Sequence, residues 1–98
     1  MEWQSKEIDL GNLEPNKDYP FNFLYMGGSK IMTVKPACGC TAAKVEDNIV
    51  SGIYKSGAFP QYAKSQGFAD VKVVKTIDVI TKDDKKHKLT IKGHLYDI

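Results

Sequence analysis

Apolar residues recur at every second position over most of this chain. Ile8 and Leu10 alternate with polar residues ahead of Gly11-Asn12. Phe21, Phe23 and Tyr25 share one parity against Asn22 and Leu24. Ile31, Thr33 and Lys35 oppose Met32 and Val34, and Pro36 closes that run. Ile49 to Tyr54 reads as a further strand, weakened by Gly52. Val71, Val73 and Val74 lead into Ile77, Val79 and Thr81, and Leu89, Ile91, Gly93 and Leu95 form the inward face of a last strand. A period of two marks a half-buried strand, because successive side chains point to opposite faces. The runs are separated by turn material at Glu14-Pro15-Asn16-Lys17-Asp18, Gly27-Gly28-Ser29, the middle of Lys44–Val50 and Asp83-Asp84-Lys85-Lys86. Residues 59–70 lack the pattern and read as a long loop or a single helical turn. Short strands with regular turns predict an all-β, antiparallel sandwich in one domain over residues 1–98.

Composition narrows the function classes. The chain has 98 residues, enough for one self-sufficient core. A net charge of +2 is too small to point to a nucleic-acid partner. The longest apolar runs are only a few residues, so no membrane insertion is expected. Met1-Glu2-Trp3-Gln4-Ser5-Lys6-Glu7 lacks the basic start and apolar run of a secretory signal. No Gly-x-Ser-x-Gly elbow, phosphate loop or His-Glu-x-x-His segment is present, so no enzymatic activity and no cofactor are expected.

Pro36-Ala37-Cys38-Gly39-Cys40-Thr41 holds both cysteines, one residue apart. On a strand their sulfurs would share a face. Three readings stand: a structural pair at a strand end, redox-active thiols, or half of a metal site. Structural zinc takes four ligands, and His87 and His94 are the only histidines to join Cys38 and Cys40. His94 alternates with the apolar positions and should point outward. His87 sits in Lys85-Lys86-His87-Lys88 and reads as a solvated turn residue. The structural pair is the preferred reading, with no metal bound.

The order of these signals resembles a bacterial domain-of-unknown-function family that carries a Cys-Gly-Cys-Thr signature and is akin to Hydin-type (ASH) domains. Leu10-Gly11-Asn12-Leu13-Glu14 resembles its opening, and Phe21-Asn22-Phe23 its Phe-x-Phe strand. Lys75-Thr76-Ile77-Asp78-Val79 and Leu89-Thr90-Ile91-Lys92-Gly93 resemble its closing strands. Tyr25-Met26-Gly27-Gly28 stands where the family has Asn-Thr-Gly. The resemblance implies an immunoglobulin-like sandwich of six to eight short strands. Related modules occur at bacterial surfaces and as accessory proteins on phage particles.

Large aromatic side chains outside the strands are candidate anchors for a protein partner. Phe59, Tyr62 and Phe68 lie in the irregular stretch, and Trp3 precedes the first strand. Phe59 and Phe68 could instead plug an open end of the sandwich, and Tyr62, beside Gln61 and Lys64, should face out. The expected function is a non-catalytic structural or protein-binding module, an accessory or decoration subunit of a larger assembly such as a virion. Its partners would be capsid or tail subunits, with self-association through edge strands open to it. The alternatives are a cell-surface or periplasmic interaction domain, if a signal has been removed, and a small thiol redox or metal-binding protein.

Overall fold

The computed structural model describes residues 2–36 and 41–97. Seven strands and one short helix follow in order: β1 (Glu7–Leu13), β2 (Asp18–Leu24), β3 (Ile31–Pro36), β4 (Thr41–Glu46), β5 (Ile49–Lys55), α1 (Gln61–Ser65), β6 (Asp70–Thr81) and β7 (Lys86–Tyr96). They form a four-stranded sheet in the order β1-β7-β6-β3 and a three-stranded sheet in the order β2-β5-β4. This partition is that of an immunoglobulin-type sandwich, with the second, fourth and fifth strands in one layer and the third, sixth and seventh in the other. The all-β sandwich expected from the alternation is the fold observed.

Two details depart from expectation. The sandwich is not wholly antiparallel, because β1 runs parallel to β7, with Glu7 beside Thr90 and Leu13 beside Leu95. Nor are all strands short: β6 and β7 have 12 and 11 residues and pair as one long hairpin from Asp70–Tyr96 to Ile80–Lys86. The first departure follows from a switch of sheets near the N-terminus. Trp3 bridges antiparallel to Tyr25, and the Gln4 amide donates to the Leu24 carbonyl at 3.0 Å. Two residues further on, the Thr90 amide donates to the Lys6 carbonyl at 2.8 Å. The chain therefore leaves the end of β2 and joins β7 from the other layer. Gly11, at φ +74°, marks the slip in register within β1 and lets Leu13 turn into the core.

The inner faces carry the alternating residues the pattern selects. Leu13, Val73, Ile77, Val79, Leu89, Ile91 and Leu95 meet Phe21, Phe23, Val50 and Tyr54, all of them buried. Phe21 and Phe23 meet edge to face at 5.8 Å between ring centres. Each such side chain contributes about 1.5–3 kcal/mol on leaving water. Gly52 sits directly opposite Phe21, and a Cβ there would meet Phe21 Cζ at 2.6 Å and collide with the Ala42 carbonyl. What reads as a weak point in a strand is thus the space into which Phe21 packs.

One end of the sandwich is closed by a polar relay. Trp3 is 2% exposed and stacks at a tilt on Tyr25, 4.9 Å between ring centres. Its indole Nε1–H donates to Nδ1 of His87 at 3.2 Å. His87 is 3% exposed, which corrects its reading as a solvated turn residue. With Nδ1 accepting, the ring proton lies on Nε2 and faces Thr81 Oγ1 at 3.4 Å. The Thr81 hydroxyl donates in turn to the Asp83 carboxylate. That bond, more than anything else, holds the Asp83 carboxyl below the usual carboxylate range.

Two stability predictions follow from this packing. Trp3→Phe keeps a ring but leaves His87 Nδ1 buried without its donor, and should cost about 1–3 kcal/mol in urea denaturation. Gly52→Ala forces the Phe21 ring and the β4 backbone apart, and should cost about 1–3 kcal/mol in the same measurement.

Candidate functional site

The opposite end of the long hairpin is built differently. After β5 the chain is pinned to the turn at residues 14–17: the Ser56 amide donates to the Lys17 carbonyl at 3.0 Å, and the Asn16 amide to the Gly57 carbonyl at 2.7 Å. Phe59 then drops into the core at 6% exposure, with Ala63 at 0%. Pro60 caps the start of α1 with extended geometry. The helix lasts five residues because Gly67, at φ +78°, ends it. The Gly67 amide donates to the Lys64 carbonyl at 3.1 Å and the Phe68 amide to the Ala63 carbonyl at 3.0 Å. These two bonds make a Schellman stop, which a left-handed glycine permits. The single helical turn allowed for residues 59–70 is this one.

The stop fixes where the aromatics go. Tyr62 is 63% exposed and Phe68 51% exposed. Of the four candidate anchors, these two are on the surface, whereas Trp3 and Phe59 belong to the core and offer a partner nothing. Cys38 and Cys40 lie outside the described residues. Among the described residues, no group of three or more His, Cys, Asp or Glu side chains is placed to hold a metal ion. His94 points outward as expected and pairs with the Asp70 carboxylate at 3.1 Å.

Tyr62 forms one wall of a groove of about 450 Å³. Tyr54, Val71, Val73 and Leu95 supply apolar lining, and Pro60 lies beside Tyr62. Lys72, Val74 and Lys75 complete the other side. Lys64, on α1 but outside the lining, pairs with Asp97 at 3.9 Å. The groove therefore combines an apolar floor, one exposed aromatic and two lysines. Such a lining can hold an apolar or aromatic group and attract negative charge.

Val74, half exposed at 50%, is the member that inspection of the sequence undervalued. The signal was present in the adjacent pair Val73-Val74: in a strand of period two, one of two neighbours must face out. A second exposed apolar area lies on β2-β5-β4, where Ile53 borders a shallow depression of about 330 Å³ and Ile49 is exposed further along the same strand. It has no aromatic residue standing clear of the surface. No family model matches the chain, and no curated protein matches it.

Burial at the groove floor pushes the Tyr54 phenol above its ordinary value. The folded chain then keeps this proton to higher pH than the unfolded chain does. Its stabilising share is complete below the unfolded value of about 10 and is lost as pH rises through the folded value. Tyr54→Phe should flatten the decline in stability as pH rises above about 10, as followed by urea denaturation at stepped pH.

Proposed function

We propose that this chain is a non-catalytic protein-binding module that docks on a larger assembly through the end bearing α1. The observation that carries this reading is that Tyr62 and Val74, both half exposed or more, line one groove, with Phe68 equally exposed just past the same helix. Aromatic side chains bring large contact area with few rotatable bonds, which favours them as anchors. Their supports are rigid: a capped turn on one side and a paired strand on the other. A sandwich of this kind has stable layers and spends its variable chemistry at its ends and edges. The resemblance to accessory modules of bacterial surfaces and phage particles adds support from the residues alone, and a virion is the assembly we propose. The Cys38–Cys40 pair is assigned a structural role.

The test is sedimentation of the full chain in extracts of its native source. Wild type should travel with a particle much larger than itself. Tyr62→Asp combined with Phe68→Asp should keep stability within about 0.5 kcal/mol, as surface changes usually do, and should move to the top of the gradient. Cys38→Ser with Cys40→Ser should still travel with the particle. A doubly substituted aromatic variant that stays bound would remove the reading.

A further inference from the structure

We propose that Nδ1 of His87 is a pH-dependent latch on the N-terminal segment, holding Trp3 while it is bare and exchanging Trp3 for Glu2 once it is protonated. The latch lies at the end of the hairpin away from α1 and is independent of the contact reading above. Its basis is one nitrogen with two partners. The indole Nε1–H of Trp3 donates to Nδ1 at 3.2 Å. The Glu2 carboxylate lies 3.4 Å from the same atom. An N–H donor needs a bare lone pair on Nδ1, whereas a carboxylate, which only accepts, needs a proton there. A single ring nitrogen cannot meet both demands. On the neutral ring the lone pair goes to Trp3. On the imidazolium both nitrogens donate: Nε2–H keeps Thr81, Nδ1–H turns to Glu2, and the Trp3 N–H is left facing another N–H. The new bond joins opposite charges and is the stronger of the two. The proton comes from solvent and ends on Nδ1, and no covalent bond between heavy atoms changes.

The second support is how little else holds the segment. From Glu2 to Glu7, Trp3 is the only buried residue. Two main-chain bonds tie this stretch to the end of β2: the Gln4 amide to the Leu24 carbonyl, and the Met26 amide to the Glu2 carbonyl. Leaving a buried donor without an acceptor costs more than a typical hydrogen bond contributes. Loss of the acceptor for Trp3 therefore outweighs either of those bonds. From Lys6 onward the chain is held by β7, so release ends there.

The third support is the set of groups that surround His87. Glu2 comes from the N-terminal segment, and Lys85, on the turn after β6, pairs with it at 3.8 Å. The Glu2 side chain is 45% exposed, which gives a proton a path from solvent to the buried ring. Asp83 is linked to His87 through the Thr81 hydroxyl. That hydroxyl holds the Asp83 carboxyl below the usual carboxylate range, so its charge stays constant between about pH 5 and 8, where histidines titrate. From the end of β2, Tyr25 presents its ring edge to face, 5.8 Å between centres. Lys30 and Asp47 border a cleft together with Tyr25. Val79 of β6 lies opposite His87, and Ile31 of β3 opposite Thr81. Lys86 and Lys88 fall on the other face of β7 by parity, where Lys86 pairs with Asp78 at 3.7 Å. Among these groups, Glu2 is the carboxylate in direct reach of Nδ1.

Trp3 is the only tryptophan, so its fluorescence reports the latch directly. The full chain is titrated from about pH 7.5 to about pH 5.5 with acrylamide quenching of that fluorescence. Nitrogen-15 spectra of the imidazole and indole, and far-ultraviolet circular dichroism, are recorded alongside. The quenching constant should rise at least about threefold as the indole loses its acceptor, while the sheet signal stays unchanged. The indole resonance should move with the same midpoint as Nδ1 of His87. His87→Gln offers a carbonyl to Trp3 and an amide donor to Thr81 but takes no proton, so Trp3 should stay shielded throughout. Glu2→Gln removes the charge that favours the imidazolium, and should move the midpoint to lower pH. A flat quenching constant in the wild type, an equal rise in His87→Gln, unequal indole and imidazole midpoints, or loss of the sheet signal over the same range would each overturn the proposal. Should His87→Gln fail to fold, Glu2→Gln decides: a displaced midpoint upholds the exchange, and an unmoved one removes it.

Discussion

Two facing sheets can bury each other's inner sides, but they cannot bury their own ends. Every other feature of this protein is arranged around that geometric constraint. The alternating residues of β2, β5, β6 and β7 fill the space between layers, and their parity leaves no further choice in the strands themselves. What remains open are the two mouths of the sandwich and the outer edges of its layers. Non-strand residues close the mouths: Trp3 at one, Phe59 with Ala63 at the other.

The two closures differ in chemistry, and this separates structural aromatics from available ones. Trp3 brings a polar N–H into a buried place, so it needs an acceptor. His87 provides one, and the chain of donors runs on to Thr81 and Asp83. Every link has one direction, because each donor has one proton to give along it. A relay of this sort commits its members: Trp3, His87 and Thr81 are bound to one another and leave nothing for a partner. Phe59 has no polar atom to satisfy and closes its mouth by packing alone. The short helix that follows can therefore keep Tyr62 at the surface.

The strands and their inward faces were legible because period two is a local signal. Phe21, Phe23, Tyr25, Leu89, Ile91 and Leu95 all lie where their parity puts them. The same parity, carried back two residues from Leu89, places His87 inside. The lysines around it argued for solvent, yet charge on alternate residues says nothing about the face between them. The parallel pairing of β1 with β7 was not legible, because the partners lie about eighty positions apart and no local pattern records which edge a strand joins. Trp3 was ambiguous for a related reason: its fate depends on His87, supplied by the far end of the chain. For the groove, Tyr62 was readable from its polar neighbours, whereas Lys72, Val74 and Lys75 acquire meaning only once α1 is seen to fold back beside β6.

The edges can be compared with one another. A sheet edge that should stay unpaired is commonly spoiled by a bulge, a proline or a charge. β1 has a register slip at Gly11 and acids at Glu7 and Asp9. β2 has Pro20 within it, and its far end is taken by the segment around Trp3. β3 has a register slip between Ile31 and Thr33 and ends in Pro36. β4 carries Lys44 and Glu46. Each of the four outer strands therefore carries its own bar to the addition of a further strand.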